Sequence, residues 1–213
     1  IGALIMVHGD RDGLILPPRV APIQAVIVPI WRTEEQRTQV LAVAQAAEQA
    51  LRDRVRVKAD LRDEYTPGWK FAEWELRGVP VRIEIGPRDV EQRQAVLVRR
   101  DTRERRAVPL DDLPQRVLAL LEELQTALFQ RALEFRRANT HYVETLAQFE
   151  EILAERRGFL YAHWCGSATC EAQIKDRTGA TIRVIPFDRP MDAGRCLWCQ
   201  APVEGRVLFA RAY

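Results

Sequence analysis

Lysine is scarce: only Lys58, Lys70 and Lys175 occur, although the 213 residues include 32 basic ones. The basic side is therefore almost all arginine, and 30 acidic residues leave a net charge of only +2. So even a balance excludes binding to polyanions through bulk charge, and local clusters become the electrostatic route to nucleic acid. Arginine's planar fork suits phosphate and base-edge contacts better than lysine's point charge. A GC-rich genome that substitutes arginine for lysine everywhere accounts for the same bias. Long apolar runs are also missing: none approaches the roughly 18 to 20 residues of a membrane span. The apolar start, Ile1 to Val7, lacks the basic lead-in and small-residue cleavage site of a secretion signal. A soluble, cytoplasmic protein is expected, and a chain opening on Ile1 is expected to begin inside a longer one. No cysteine precedes Cys165, and there is no internal repeat or low-complexity tract. At 47% hydrophobic and 29% charged residues, wholesale disorder is excluded as well.

What is present reads as an alternation of strands and helices. Ile1 to Val7 predicts a buried strand, and the turn chemistry at His8 to Gly13 followed by Leu14 to Leu16 gives a hairpin-like piece. Pro17, Pro18 and Pro22 then mark a linker. Ile23 to Ile30 is a continuous apolar run typical of a strand covered on both faces. Thr33 and Gln36 have the spacing of a capping box, and Val40, Val43, Ala44, Ala47 and Leu51 recur at helical intervals. Val55 to Lys58 predicts a strand, Phe71 to Leu76 a helix, and Val79 to Ile85 a strand with Val81, Ile83 and Ile85 on one face. Ala95 to Val98 and Ala107-Val108 pair around a charged segment, and Asp111 opens a helix through Val117, Leu120, Leu121, Leu124 and Leu128. This order implies an α/β architecture: a mixed five-stranded sheet flanked by helices, ending near residue 125. A helical connector is expected from there to about Arg157, with a break at Asn139-Thr140. Residues 158 to 213 change character and suggest a small α+β domain with strands near Ala180 to Ile185 and Val207 to Ala210.

Three groups of residues carry candidate chemistry. Cys165 and Cys170 form C-x4-C, and Cys196 and Cys199 form C-x2-C. Two close pairs of thiolates suit a tetrahedral zinc ion with no open position, hence a structural site; free thiols or disulfides are the alternatives. On the strand 79 to 85, Arg82 and Glu84 alternate with the apolar positions and share one face, at a sheet edge or end. There they can read base edges, arginine donating to guanine O6 and N7 and carboxylates accepting, or simply pair with each other in solvent. Arg99, Arg100, Arg103, Arg105 and Arg106 cluster in a hairpin and serve either as phosphate contacts or as a solvated charged turn. His8, His141 and His163 read as ordinary turn or surface residues. A zinc hydrolase is disfavoured, because no His-Glu-x-x-His motif occurs.

Ile-Gly-Ala-Leu-Ile-Met-Val-His-Gly-Asp at 1–10, Gly-Leu-Ile-Leu-Pro-Pro-Arg-Val-Ala-Pro-Ile-Gln at 13–24 and Gly-Val-Pro-Val-Arg-Ile-Glu-Ile-Gly-Pro-Arg-Asp at 78–89 together resemble the C-terminal part of the prolyl-tRNA synthetases. The resemblance is to the archaeal and eukaryotic-like type and spans essentially the whole chain. It implies three parts: the tail of a class II catalytic domain at 1–18, an anticodon-binding domain at 19–125, and a helical connector with a C-terminal zinc-binding domain at 126–213. It implies that Glu75, Arg82 and Asp89 read the two guanines that follow the wobble base, and that Cys165, Cys170, Cys196 and Cys199 hold structural zinc. The arginines from Arg99 to Arg106 would touch phosphates, and Tyr213 would approach the active site of an intact enzyme. The second- and third-motif arginines of a class II catalytic domain are not found in this chain, so no catalytic residue is expected in it and no aminoacylation by it alone. In such an enzyme ATP and magnesium act in the catalytic domain, proline is activated and passed to tRNA(Pro), and the enzyme is a homodimer that binds neither DNA nor membrane. The rival reading is a stand-alone, non-catalytic RNA-binding or interaction module. Such a module is expected to start near residue 19, without the apolar piece that precedes the linker.

Overall fold

The computed structural model describes residues 1–155, 158–189 and 191–211, and the chain divides into two compact units, Ile1–Ala132 and Leu133–Tyr213. In the first unit, Ile1 to Val7 is not a buried strand. Gly2–His8 forms helix α1, with no buried residue. A strand needs a neighbour for its backbone hydrogen bonds, whereas a helix closes its own, and Ala3, Leu4 and Met6 are good helix formers. The expected hairpin is present but short: β1 (Gly9–Asp10) pairs antiparallel with β2 (Gly13–Leu14). Pro17, Pro18 and Ala21 are packed rather than exposed, and Arg56 donates to the carbonyls of Pro18 and Ala21, each at 2.9 Å.

Strand β3 (Ala25–Pro29) is buried along its whole length, as its unbroken apolar run implies. Helix α2 (Glu34–Leu51) follows, and the Thr33 hydroxyl accepts from the Gln36 N–H at 3.3 Å. The reciprocal half of the box is displaced by one residue, since Gln36 accepts from the N–H of Arg32. Strand β4 (Val57–Ala59) and helix α3 (Pro67–Leu76) come next, then β5 (Val81–Ile85), α4 (Pro87–Glu91), β6 (Gln94–Arg99) and β7 (Arg105–Pro109). A 3-10 turn, Leu110–Asp112, leads into α5 (Leu113–Ala138). The strands form one sheet in the order β4-β3-β5-β6-β7, parallel across β4-β3-β5 and antiparallel across β5-β6-β7. This is the mixed five-stranded sheet that the alternation implied.

Alternation along each strand divides the core. Ala25, Ile27, Val81, Ile83, Ile85, Ala95 and Leu97 pack with the apolar faces of α2 and α5. Val26 and Val28 pack with Trp74 and Val79 from the α3 side. The β5 residues between the apolar ones are Arg82 and Glu84, so they lie on the α3 face. Because β5 is the middle strand, they do not sit at a sheet edge, one of the two places expected for them.

The α3 side also holds a buried carboxylate. Asp60, 2% exposed, accepts from Arg62 at 2.7 and 2.8 Å and from the Trp74 indole N–H at 2.8 Å, with the Lys70 ammonium 4.0 Å away. Burial raises its pKa, but the hydrogen bonds from Arg62 and Trp74 and the charges of Lys70 and Arg62 prevail and bring it to about 2.

In the second unit β8 (Thr140–Tyr142), α6 (Leu146–Glu155), β9 (Phe159–His163), α7 (Ala168–Thr178), β10 (Ala180–Val184), β11 (Ala193–Arg195), β12 (Pro202–Glu204) and β13 (Arg206–Arg211) follow in order. One sheet runs β10-β13-β9-β8, with β8 parallel to β9, while β11 and β12 form a separate pair. The connector is therefore not helical throughout. It breaks at Asn139 as expected, and β8 then joins a sheet that only the later strands complete. Arg157, its expected end, lies outside the described residues. Phe149, Leu153, Leu160, Ile174, Val207 and Phe209 form the centre of this unit's core.

Two outcomes test this description. Gly78 has φ of +74° and an added Cβ would lie 2.8 Å from the Leu14 backbone, so Gly78→Ala is expected to cost about 1–3 kcal/mol in urea unfolding. A depressed carboxylate stabilises the fold above its unfolded pKa and loses that contribution as pH falls through the folded value. The stability difference between wild type and Asp60→Asn is thus expected to be full above the ordinary 3.8 and to shrink as pH falls toward about 2.

Candidate nucleic-acid interface and metal centre

A charged lattice occupies the α3 face of the sheet. Arg82 donates to Glu75 at 2.8 Å and to Glu84 at 3.0 Å, and its guanidinium lies 4.0 Å from the centroid of the Phe71 ring. Glu84 is 4% exposed and also accepts from Arg105 at 2.5 and 3.2 Å. Phe71 and Glu75 lie one helical turn apart on α3, which places an aromatic ring and an acid over the same strand residue. The crevice lined by Glu75, Arg82, Val98 and Arg100 measures only about 10 Å³, the space of one water. A base would lie over this lattice, not inside it. Among the described residues Nη2 of Arg82 has no hydrogen-bond partner, so its two N–H groups remain for such a ligand.

Asp89 is held apart from this lattice. Its Oδ2 accepts from the Gly86 N–H at 2.8 Å at the start of α4, and its Oδ1 accepts from Gln94 at 3.2 Å. The three predicted base readers thus separate into a bonded pair, Glu75 and Arg82, and a third residue beyond the C-terminal end of β5.

All five arginines of the β6–β7 hairpin are engaged by carboxylates. Arg99, 8% exposed, pairs with Asp101 at 2.9 and 3.0 Å, and Arg100, 4% exposed, pairs with Asp10 at 2.7 and 2.8 Å. Hydrogen bonds from Arg100 hold the Asp10 carboxyl well below the usual range. Arg103 meets Asp12, Arg105 meets Glu84, and Arg106 meets Glu104 and Glu123. Arg103, Arg105 and Arg106 keep 52, 55 and 41% of their side chains exposed, so their outward edges remain available.

In the second unit Cys165 follows β9, Cys170 lies in the first turn of α7, and Cys196 and Cys199 lie in the turn between β11 and β12. The four sulfurs lie within 4.8 Å of one another. Cys165 and Cys199 are 3.8 Å apart, far beyond a disulfide bond and equal to the edge of a tetrahedron with metal–sulfur bonds of about 2.3 Å. Gln200, at φ of +61°, turns the chain after the second pair, and its N–H donates to the Cys196 carbonyl at 3.0 Å. Burial raises the Cys196 pKa, yet the backbone N–H groups of Cys199 and Trp198 outweigh it and bring it to about 7, while burial pushes Cys170 up to about 12. A bound cation would overcome the burial of Cys170 and keep all four as thiolates.

Two comparisons bear on the family. Residues 24–120 match the family described as anticodon binding domain, and residues 146–213 match the one described as prolyl-tRNA synthetase, C-terminal. The chain is thus similar to an anticodon-binding domain over one stretch and to the C-terminal part of the prolyl-tRNA synthetases over the other. It is 50% identical over 215 residues to a proline–tRNA ligase of Natranaerobius thermophilus, aligned along 100% of this chain and 44% of that protein. Proline–tRNA ligases of Symbiobacterium thermophilum and Chloroflexus aurantiacus are 52 and 49% identical, each aligned along 100% of this chain and 45% of their own length. The chain thus spans less than half the length of the curated relatives it matches.

The residues of the Cys165–Cys199 cluster, predicted from spacing, come together. Tyr213 lies outside the described residues. Phe71 was missed as a member of the Arg82 lattice, although its spacing to Glu75 was available in the sequence. His163 was misplaced: it is 2% exposed in β9, its Nε2 lies 3.2 Å from the Asp192 carbonyl, and an added Cβ on Gly194 would meet its ring at 2.2 Å. The pairing of β9 with β13 buries it, and no local pattern announces that. Among the described residues no helix is long and apolar enough to cross a membrane.

The cluster is expected to hold one metal ion per chain by elemental analysis, with Cys170→Ser losing it. Chelation at neutral pH is expected to unfold residues of the second unit while the amides of β3 and β5 keep their hydrogen-exchange protection.

Proposed function

We propose that this chain is the tRNA-recognising C-terminal portion of a proline–tRNA ligase, whose whole activates proline with ATP and transfers it to tRNA(Pro). The observation that carries the reading is the match of residues 24–120 to an anticodon binding domain, which encloses the Phe71–Glu75–Arg82 face. Arg82 offers Nη2 to O6 or N7 of a guanine laid over the lattice. Glu75, 26% exposed at its side chain, has a second carboxylate oxygen to accept from the base's N1 and N2 donors. Asp89 serves the second guanine at the end of β5. Arg103, Arg105 and Arg106 touch phosphate through their exposed edges, whereas Arg99 and Arg100 hold the hairpin in place.

The four thiolates fit zinc, the tetrahedral sulfur-loving ion, and leave no position for water, so its role is structural. ATP and magnesium belong to the part of such a ligase outside this chain, as does the catalytic domain of which residues 1–18 would be the tail. Residues 19–125 form the anticodon-binding domain and 126–213 the connector and zinc domain. A homodimeric, cytoplasmic enzyme is the setting this reading assigns, with Tyr213 near its active site.

The test is binding of the chain to tRNA(Pro) transcripts with each guanine replaced in turn, at fixed salt. Wild type is expected to discriminate by about 1–3 kcal/mol, and Arg82→Ala to lose that preference while keeping salt-dependent binding. Equal binding of wild type to all transcripts would refute base reading.

A further inference from the structure

A second candidate site lies at the C-terminal ends of the parallel strands. After β3 the chain passes through Trp31 into α2 on one face of the sheet, and after β4 it passes through Tyr65 into α3 on the other. Connections that leave to opposite faces open a crevice between them, the place where open α/β sheets take ligands. Here it measures about 220 Å³ and is lined chiefly by Trp31, Asp63, Glu64, Tyr65, Thr66 and Lys70. None of these belongs to the Arg82 lattice.

Its chemistry is polarised. Lys70 is 2% exposed and makes, among the described residues, one hydrogen bond, 3.1 Å to the Asp60 carbonyl, and one ion-pair contact, 4.0 Å to the Asp60 carboxylate. An ammonium has three donors, so it keeps capacity for an acceptor in the crevice it lines. The Trp31 ring centroid lies 5.6 Å from that ammonium. At the mouth, Tyr65 and Trp69 stack at 3.9 Å and 12°, and they are 37 and 44% exposed. The rim carries both signs: the Asp63 side chain is 64% exposed and pairs with Arg37 at 3.3 Å, Glu64 is exposed beside it, and the Arg62 guanidinium lies 5.0 and 5.4 Å from the Tyr65 and Trp69 ring centroids.

A buried cation, two acids and aromatic walls match a planar heterocycle that presents a carbonyl oxygen next to ring N–H groups. An aliphatic ligand would leave the ammonium without an acceptor. Asp89 follows β5, which neighbours β3, while this crevice opens between β3 and β4. With strands about 4.8 Å apart, the two places are separated by about 10 Å along the same sheet end, within reach of a nearby nucleotide of one RNA loop. We infer that this crevice takes a single unpaired base with a lactam edge, guanine or uracil, from the anticodon loop outside the two guanines already assigned. The inference rests on the tRNA reading and adds a further base contact to it. The carbonyl accepts from Lys70, the ring N–H donates to Asp63, and the base stacks against Tyr65.

The experiment is binding of the whole chain to an anticodon stem-loop RNA in which each loop nucleotide in turn is made abasic. The proteins are wild type, Tyr65→Ala and Asp63→Asn, both exposed positions, and Lys70→Met, each checked for folding by circular dichroism. For wild type, one abasic position outside the two guanines is expected to weaken binding about tenfold. In Tyr65→Ala and Asp63→Asn that loss falls to within about twofold, while the losses at the guanines stay as in wild type. Should no such position exist, or should its loss persist in both variants, the inference fails. Guanine positions that cost nothing in wild type would instead sink the tRNA reading itself. Free GMP or UMP that binds wild type and not Tyr65→Ala, with RNA indifferent to both variants, would overturn the RNA base in favour of a free nucleotide.

Discussion

A carboxylate buried in the middle of a five-stranded sheet needs partners on its own face, and Glu84 on β5 is such a group at 4% exposure. Its neighbours in register are Val28 and Val96, which offer it nothing polar. Charge compensation has to come from the same face: Arg82 two residues back along β5, and Arg105 from β7. That requirement fixes where the β6–β7 hairpin can place its arginines, and Arg82 in turn holds Glu75 and stacks on Phe71. The rigid face proposed to meet a base is thus the same lattice that supplies a buried acid with its hydrogen bonds.

The same accounting explains the near-neutral composition. Two of the arginines expected at phosphate are, in the fold, committed to acids, Arg99 to Asp101 and Arg100 to Asp10, and Arg62 is committed in the same way to Asp60. Arg100 and Asp10 are 90 residues apart in the chain, and together with the close approach of Gly13 and Gly78 to each other's neighbours they bind the first hairpin onto the α3–β5 turn. Burial makes such pairs worth keeping, because removing one partner leaves an uncompensated charge.

The second unit meets a different constraint. Its buried core is small, and among the described residues the β11–β12 pair is joined to no other strand. The turn that carries Cys196 and Cys199 meets the residues after β9 and at the start of α7 through sulfur. A small domain of this kind commonly needs a metal or disulfide to close it, and here the geometry fits the metal.

The sequence by itself determined the strand and helix order, the two-faced burial of β3, the helical stripe of α2 and the identity of the four thiols, because period and spacing are local properties of a chain. It also carried the family resemblance. It misjudged Ile1–Val7, since an apolar run states only that burial is preferred, and a strand forms only where a neighbour supplies hydrogen bonds. Tertiary structure alone decided that β5 is central, that His163 is buried, that β8 interrupts the connector and that Lys70 lines a crevice at the strand ends. Each of these depends on which distant segment packs against which, and burial, charge pairing and the space between connections come into being only when those segments meet.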